Sequence, residues 1–150
     1  MNTGNLEPQQ AGVIAFRHEA NQLRFCVTYK PKNAAWGIPK GFVDPGNTPQ
    51  EAALTEAREE SGLRGKLIGE TIGTYDYEKW GNTYTVAVYL MKVTHQDDHW
   101  DEESFRERHW LTFETARTRL QGHPVHELFE RAIHLLQDQG DDNDKNVVRW

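Results

Sequence analysis

Apolar and polar positions alternate in short runs through the first third of the chain. Residues 11–17 are apolar and partly β-branched, residues 18–22 are polar, and residues 23–29 are apolar again. This pattern predicts two strands joined as a hairpin. Residues 1–10 are polar and read as a flexible leader. A polar loop containing Pro31 leads into the apolar residues 36–39, and Trp36 is assigned to the core, as is Trp110. Gly41, Pro45 and Gly46 make residues 40–47 a loop. A clear helix start follows. Thr48 is placed to cap, Pro49 occupies the first helical position where its missing N–H costs nothing, and Glu51 lies three residues after Thr48. Ala52, Ala53, Leu54 and Ala57 continue this helix, Gly62 ends it, and its small alanines suit close packing against a sheet.

Residues 66–75 and 83–93 have strand character, with a loop over residues 76–82 and turn chemistry at Gly81-Asn82. Residues 95–105 are charged and expected to be exposed. A strand is predicted around Trp110 (residues 106–111) and a short helix over 113–120. Over 124–137 the apolar positions Val125, Leu128, Phe129, Ala132, Ile133, Leu135 and Leu136 recur at helical spacing. Residues 140–145 are acidic and read as a frayed tail. Strands and helices mix without regular alternation, so the expected class is α+β, an α/β/α sandwich. The expected organisation is a single domain over residues 11–138, flanked by a flexible leader (1–10) and a flexible acidic tail (139–150).

Composition narrows the function classes. A chain of 150 residues suits one core, and 37% hydrophobic with 27% charged residues is polar yet not that of a disordered chain. A net charge of −6 argues against a broad grip on nucleic acid, but not against a small anion held by a few lysines and a metal. The one cysteine, Cys26, lies in an apolar run and reads as a buried small hydrophobe. No apolar stretch approaches a membrane span, and the first ten residues lack the apolar centre of a signal peptide, so a cytoplasmic protein is expected.

The chemistry concentrates on the predicted helix after the glycine-bearing loop. Glu56, Glu59 and Glu60 stand three and four residues apart and project onto neighbouring positions of one helix face. Like charges at that spacing repel, and a hard divalent cation, magnesium or manganese, relieves the repulsion through oxygen ligands. A cation there would neutralise phosphate oxygens and activate a water. Read alone, such a triplet is more often a solvated acidic face.

Read together with its loop, the segment from Gly41 to Leu63 resembles the Nudix box: a glycine, five residues, a glutamate, seven residues, then Arg-Glu-apolar-x-Glu-Glu-x-Gly-apolar. Gly41, Glu56, Ala57, Glu59, Glu60, Gly62 and Leu63 match, whereas Asn47 stands for the early glutamate and Thr55 for the arginine. In the family those two positions hold the loop and orient the helix. Their joint loss reads as an ion pair replaced by a neutral contact. The resemblance implies the Nudix fold with a mixed sheet, and attack of water on phosphorus with Mg2+ or Mn2+ as cofactor. It also implies metal ligation by Glu56, Glu59, Glu60 and the Gly41 carbonyl. One of these glutamates, or a carboxylate outside the box, would be the base.

Outside the box, residues 37–41, 60–67, 82–89, 106–110 and 123–126 resemble the hydrolases of dinucleoside polyphosphates and of diphosphoinositol polyphosphates. Lys30, Lys32 and Lys40 are the candidate phosphate contacts. Tyr29, Tyr75, Trp80 and Tyr84 are candidate platforms for a nucleobase, with Trp80 and Tyr84 preferred. The absence of lysine and arginine from residues 1–10 favours a dinucleoside polyphosphate over a diphosphoinositol polyphosphate. A Nudix-fold binding module without turnover rests only on Asn47 and Thr55. His123 and His126 read as cap and surface histidines rather than a metal pair. The expected partner is a small polyphosphate, with neither nucleic acid nor membrane, and family habit is compatible with a homodimer.

Overall fold

The computed structural model describes residues 8–146. Its elements in chain order are β1 (Gln10–Glu19), β2 (Gln22–Lys30), β3 (Ala35–Gly37), β4 (Lys40–Phe42), α1 (Pro49–Ser61), β5 (Leu63–Lys79), β6 (Asn82–Gln96), β7 (Glu107–Leu111), α2 (Phe113–Arg119) and α3 (His126–Asn146). A 3-10 turn at Pro31–Asn33 follows β2. The strands form one sheet, β3-β2-β1-β6-β5, with β4 added to β1 and β7 to β2. The sheet is mixed: β1 and β6 run parallel, and the other pairs are antiparallel.

The period of two along the central strands divides one apolar run between two cores. Ile14 and Phe16 of β1 join Val86, Val88 and Leu90 of β6 on one face, under Phe129, Ala132 and Ile133 of α3. Ala11, Val13 and Ala15 join Ala87, Tyr89 and Met91 on the other, under Ala52, Ala53 and Ala57 of α1. Helices therefore cover both faces, as an α/β/α sandwich requires. Cys26 is buried in the second core, and burial pushes its thiol up to about 12, which leaves it an inert apolar group.

The capping box forms as the sequence predicts: Thr48 Oγ1 accepts from the Glu51 N–H, and the Glu51 carboxylate accepts from the Thr48 N–H. Gly62 ends α1 in the left-handed conformation, at φ 69°. One side of β1 is bonded to β6 along residues 10–16, so β2 and β4 must share its other side. β2 holds that side at residues 15–19 and β4 at residues 10–12. The two strands diverge there, and the divergence opens the mouth of a cleft.

Several boundaries differ from those expected. Gln10 is not leader: it opens β1, is 3% exposed, and its side chain accepts from Tyr77. Residues 1–7 of the leader lie outside the described residues. Residues 140–145 continue α3, which runs to Asn146, and residues 147–150 lie outside the described residues. Residues 76–79 extend β5, so only Trp80 and Gly81 turn, both at positive φ. Asp76 and Tyr77 pair across with Thr85 and Tyr84, and this ladder outweighs their polar composition. Trp36 and Trp110 are half-buried and pack against the edges of the two cores rather than inside them: Trp36 lies tilted against Tyr29 and edge-on to His109, and Trp110 lies under Arg17. The charged segment after β6 is not wholly exposed, since Trp100 and Glu102 are half-buried against the end of α1. Among the described residues no helix is long and apolar enough to cross a membrane.

Candidate active site

The loop after β4 and the inner face of α1 form one wall of a cleft of about 410 Å³. Its floor is acidic. Glu56 and Glu60, one helical turn apart, both face it, and Asp44 of the loop joins them. Glu60 is only 7% exposed, and its carboxyl is pushed up to about 8, first by burial. Glu102 and Glu56 raise it further, while Arg106 opposes the shift. Glu56 is raised as well, first by burial and then by Glu59, Glu102 and Asp44, while its hydrogen bond with Glu60 offsets part of the shift. The Lys40 backbone N–H donates to Glu60 Oε1 at 3.3 Å, which ties β4 to the helix.

Gly41 leaves room for the Glu56 carboxyl group. A Cβ at that position would run into the Glu56 carboxyl group, so the backbone there presses directly against the carboxylate. Two adjacent carboxylates, one buried and one half-buried, beside bare backbone make an all-oxygen donor set, which fits a hard divalent cation. Among the described residues no three carboxylate, imidazole or thiol groups already converge on one point. The glutamates stand instead as a pair with a guanidinium beside them.

The other wall is cationic and aromatic. Lys30, at the end of β2, is held below the usual lysine range by burial and by the positive charges of Arg106 and Lys79. Lys40 Nζ donates to Tyr77 Oη at 3.2 Å and lies 4.5 Å from that ring's centre. Tyr77 in turn donates to Gln10 Oε1 at 2.8 Å. Tyr84 meets Phe42 edge-on at 5.5 Å and Tyr77 at 5.6 Å. At the rim, Trp80 is 78% exposed with Lys79 over its ring, and Phe42 is 51% exposed.

The cleft thus gathers Gly41, Glu56, Glu60, Lys30, Lys40, Trp80 and Tyr84 from the residues singled out in the sequence. Lys32 and Glu59 do not line it. Lys32 is exposed in the 3-10 turn, and Glu59 turns towards Arg58, 3.9 Å away. Asn47 and Thr55 do not replace an ion pair by a shared contact: Asn47 is exposed in the loop, while Thr55 lines a hollow with Leu54, Arg58 and Leu63. Sequence reasoning missed Lys79, Arg106, Tyr77 and Glu102. Alternation along β5 would have placed Tyr77 and Lys79 on one face had that strand been read through residue 79.

His123 is half-buried between Gly37 and Tyr75 rather than on the surface, and its Nδ1 accepts from the Val125 N–H at 2.9 Å. Burial, aided by Lys40, lowers it to about 4.

A family model for the NUDIX domain matches residues 7–133. Human diphosphoinositol polyphosphate phosphohydrolase 3-beta is 31% identical over 130 residues, which cover 85% of this chain and 78% of the relative. Rat diphosphoinositol polyphosphate phosphohydrolase 2 is 33% identical over 127 residues, covering 82% and 69%. The solved binary complex of a C. elegans Ap4A hydrolase shares the fold at a TM-score of 0.77 and 24% identity, over 88% of this chain and 99% of that one. The loop and helix that carry Gly41, Glu56 and Glu60 lie within the matched region, and the chain belongs to the Nudix family of hydrolases.

Proposed function

We propose that this protein is a magnesium-dependent hydrolase that cuts a diphosphate linkage in a dinucleoside polyphosphate. The observation that carries this reading is the joining, in one cleft, of paired carboxylates, three lysines and an exposed aromatic rim. Glu56, Glu60 and the Gly41 carbonyl would hold the cation, and Glu59 would join them only by turning away from Arg58. When bound, that cation would neutralise phosphate oxygens and lower the pKa of a water. Lys30, Lys40 and Lys79 offer point charges to the polyphosphate chain. A carboxylate, either a box glutamate or Glu102 beside them, takes the proton of the water as it attacks phosphorus. Trp80 and Phe42 offer flat apolar faces to a nucleobase.

A diphosphoinositol polyphosphate is the second reading, favoured by the cation cluster and by the activity for which the sequence relatives are named. An inositol ring with phosphate at every position needs cations on all sides and gains nothing from an aromatic rim. The lysines here line one wall, and Arg106 is already engaged by Glu102 at 2.8 Å.

The test is product release from a panel of diadenosine polyphosphates, nucleoside triphosphates, nucleotide sugars and a diphosphoinositol phosphate, with magnesium and with chelator. Magnesium-dependent cleavage of a dinucleoside polyphosphate is expected. Trp80→Ala should raise its KM about fivefold or more with kcat retained, the scale of one lost base stack. Cleavage of the inositol substrate alone, indifferent to Trp80→Ala, would establish the second reading instead.

A further inference from the structure

Glu60 is a buried carboxylate with carboxylates as neighbours, and Arg106 is the basic side chain whose charge opposes that crowding. Arg106 Nη1 stands 3.7 Å from Glu60 Oε1, and its Nε donates to Glu102 Oε1 at 2.8 Å. The Arg106 side chain is only 15% exposed. α1 supplies no such cation: Arg58 pairs with Glu59, and Thr55 is uncharged.

The segment that delivers Arg106 is fastened to the end of α1 at three points. The Asp97 N–H donates to the Gly62 carbonyl at 2.8 Å, the Glu102 N–H to the Glu59 carbonyl at 3.2 Å, and Arg108 Nη1 to the Ser61 carbonyl at 2.9 Å. Arg108 also lies over the Trp100 ring, 4.1 Å from its centre. The stretch that carries Glu102 and Arg106 is therefore anchored on α1 by two backbone bonds and one from the Arg108 side chain, and Glu102 then holds the guanidinium.

We infer that Arg106, held by Glu102, is the positioning residue for Glu60, acting as its resident counter-ion and keeping its carboxylate aimed into the cleft. Removing one partner of a buried ion pair leaves the other uncompensated, which is costly. Without Arg106 the cleft carboxylates have no guanidinium counter-ion for the ionised form of Glu60 until a divalent cation is supplied. Their stability then depends on magnesium more than in the parent protein. With Nε already committed to Glu102, the guanidinium acts chiefly through Glu60, and its loss falls on kcat rather than on substrate binding.

The inference rests on the proposed metal-dependent hydrolase, and two readouts separate the failure of one from that of the other. Thermal unfolding without substrate, with and without magnesium, is measured for the parent, Arg106→Ala and Arg106→Lys, alongside kcat and KM. Arg106→Ala is expected to unfold at a lower temperature in chelator and to gain more from magnesium than the parent does. Its kcat should fall roughly tenfold or more with KM within about threefold. Arg106→Lys keeps the charge without the fork, so it should restore the parental magnesium response and recover part of kcat. An equal magnesium shift in the parent and Arg106→Ala, or a raised KM with kcat intact, would overturn the positioning role. A parent protein with neither a magnesium shift nor turnover would remove the functional reading, and this inference with it.

Discussion

At the scale of single residues, the site depends on where a side chain is forbidden as much as on where one is present. Gly41 has no left-handed φ to explain it; the glycine is needed because the Glu56 carboxyl occupies the place of its Cβ. The obstructing atoms are the end of a flexible side chain, so Gly41→Ala should fold with a melting temperature close to the parent's. The added methyl should push the Glu56 carboxyl aside and lower kcat by roughly tenfold or more, since small displacements at reacting groups are costly. Parallel melting curves and a steady-state assay check both halves, and an unchanged kcat would remove Glu56 from the proposed site. That Glu56 and Glu60 share a helix face was legible from their spacing, and their assignment to a site from the resemblance of the whole box. That Glu59, on the same predicted face, points towards Arg58 was not, because a spacing of three or four residues gives proximity on a helix and not the direction of the cleft.

At the scale of elements, α1 is the part that local sequence specifies most completely. Its cap, its first-turn proline and its terminal glycine act within a few residues of themselves, and each was found where expected. Thr48→Ala should destabilise the protein by about 1 kcal/mol, the usual worth of a side-chain cap, by leaving the Glu51 N–H without its acceptor. Urea denaturation measures this directly, and no change in midpoint would mean the cap is redundant in the folded chain. Strand ends were less legible. β5 runs through Asp76 and Glu78 because each finds a partner on β6, and pairing between strands does not show in the composition of either one. α3 likewise runs on to Asn146, although its polar final turns lack the apolar stripe that marked its beginning.

At the scale of the whole molecule, packing gives histidine 123 a property that its neighbours in sequence do not suggest. It lies where β3, β5 and the entry to α3 meet, and its Nδ1 must remain unprotonated to accept the Val125 N–H. Its folded pKa, about 4, lies below the unfolded value of 6.5. Its contribution to stability is therefore complete above pH 6.5 and is lost as pH falls from there towards 4. The loss is on the order of 1 kcal/mol per pH unit at most, lessened by partial exposure. The advantage of the parent over His123→Asn in melting temperature should shrink between pH 7 and pH 4.5; parallel curves would show that the imidazole does not titrate with unfolding.

Periodicity and caps within single segments were enough to specify the box helix, the first strand pair and the carboxylates one turn apart. These features depend on backbone geometry and on neighbours no more than four residues away, so they can be read along the chain. The tertiary structure alone decided the parallel pairing of β1 with β6 and the divergence of β2 from β4 that opens the cleft. It also decided that Lys30, Lys79 and Arg106, far apart in the chain, share one wall. Those outcomes depend on strand register and on the path of distant segments, where a shift of a single residue would send each side chain to the opposite face.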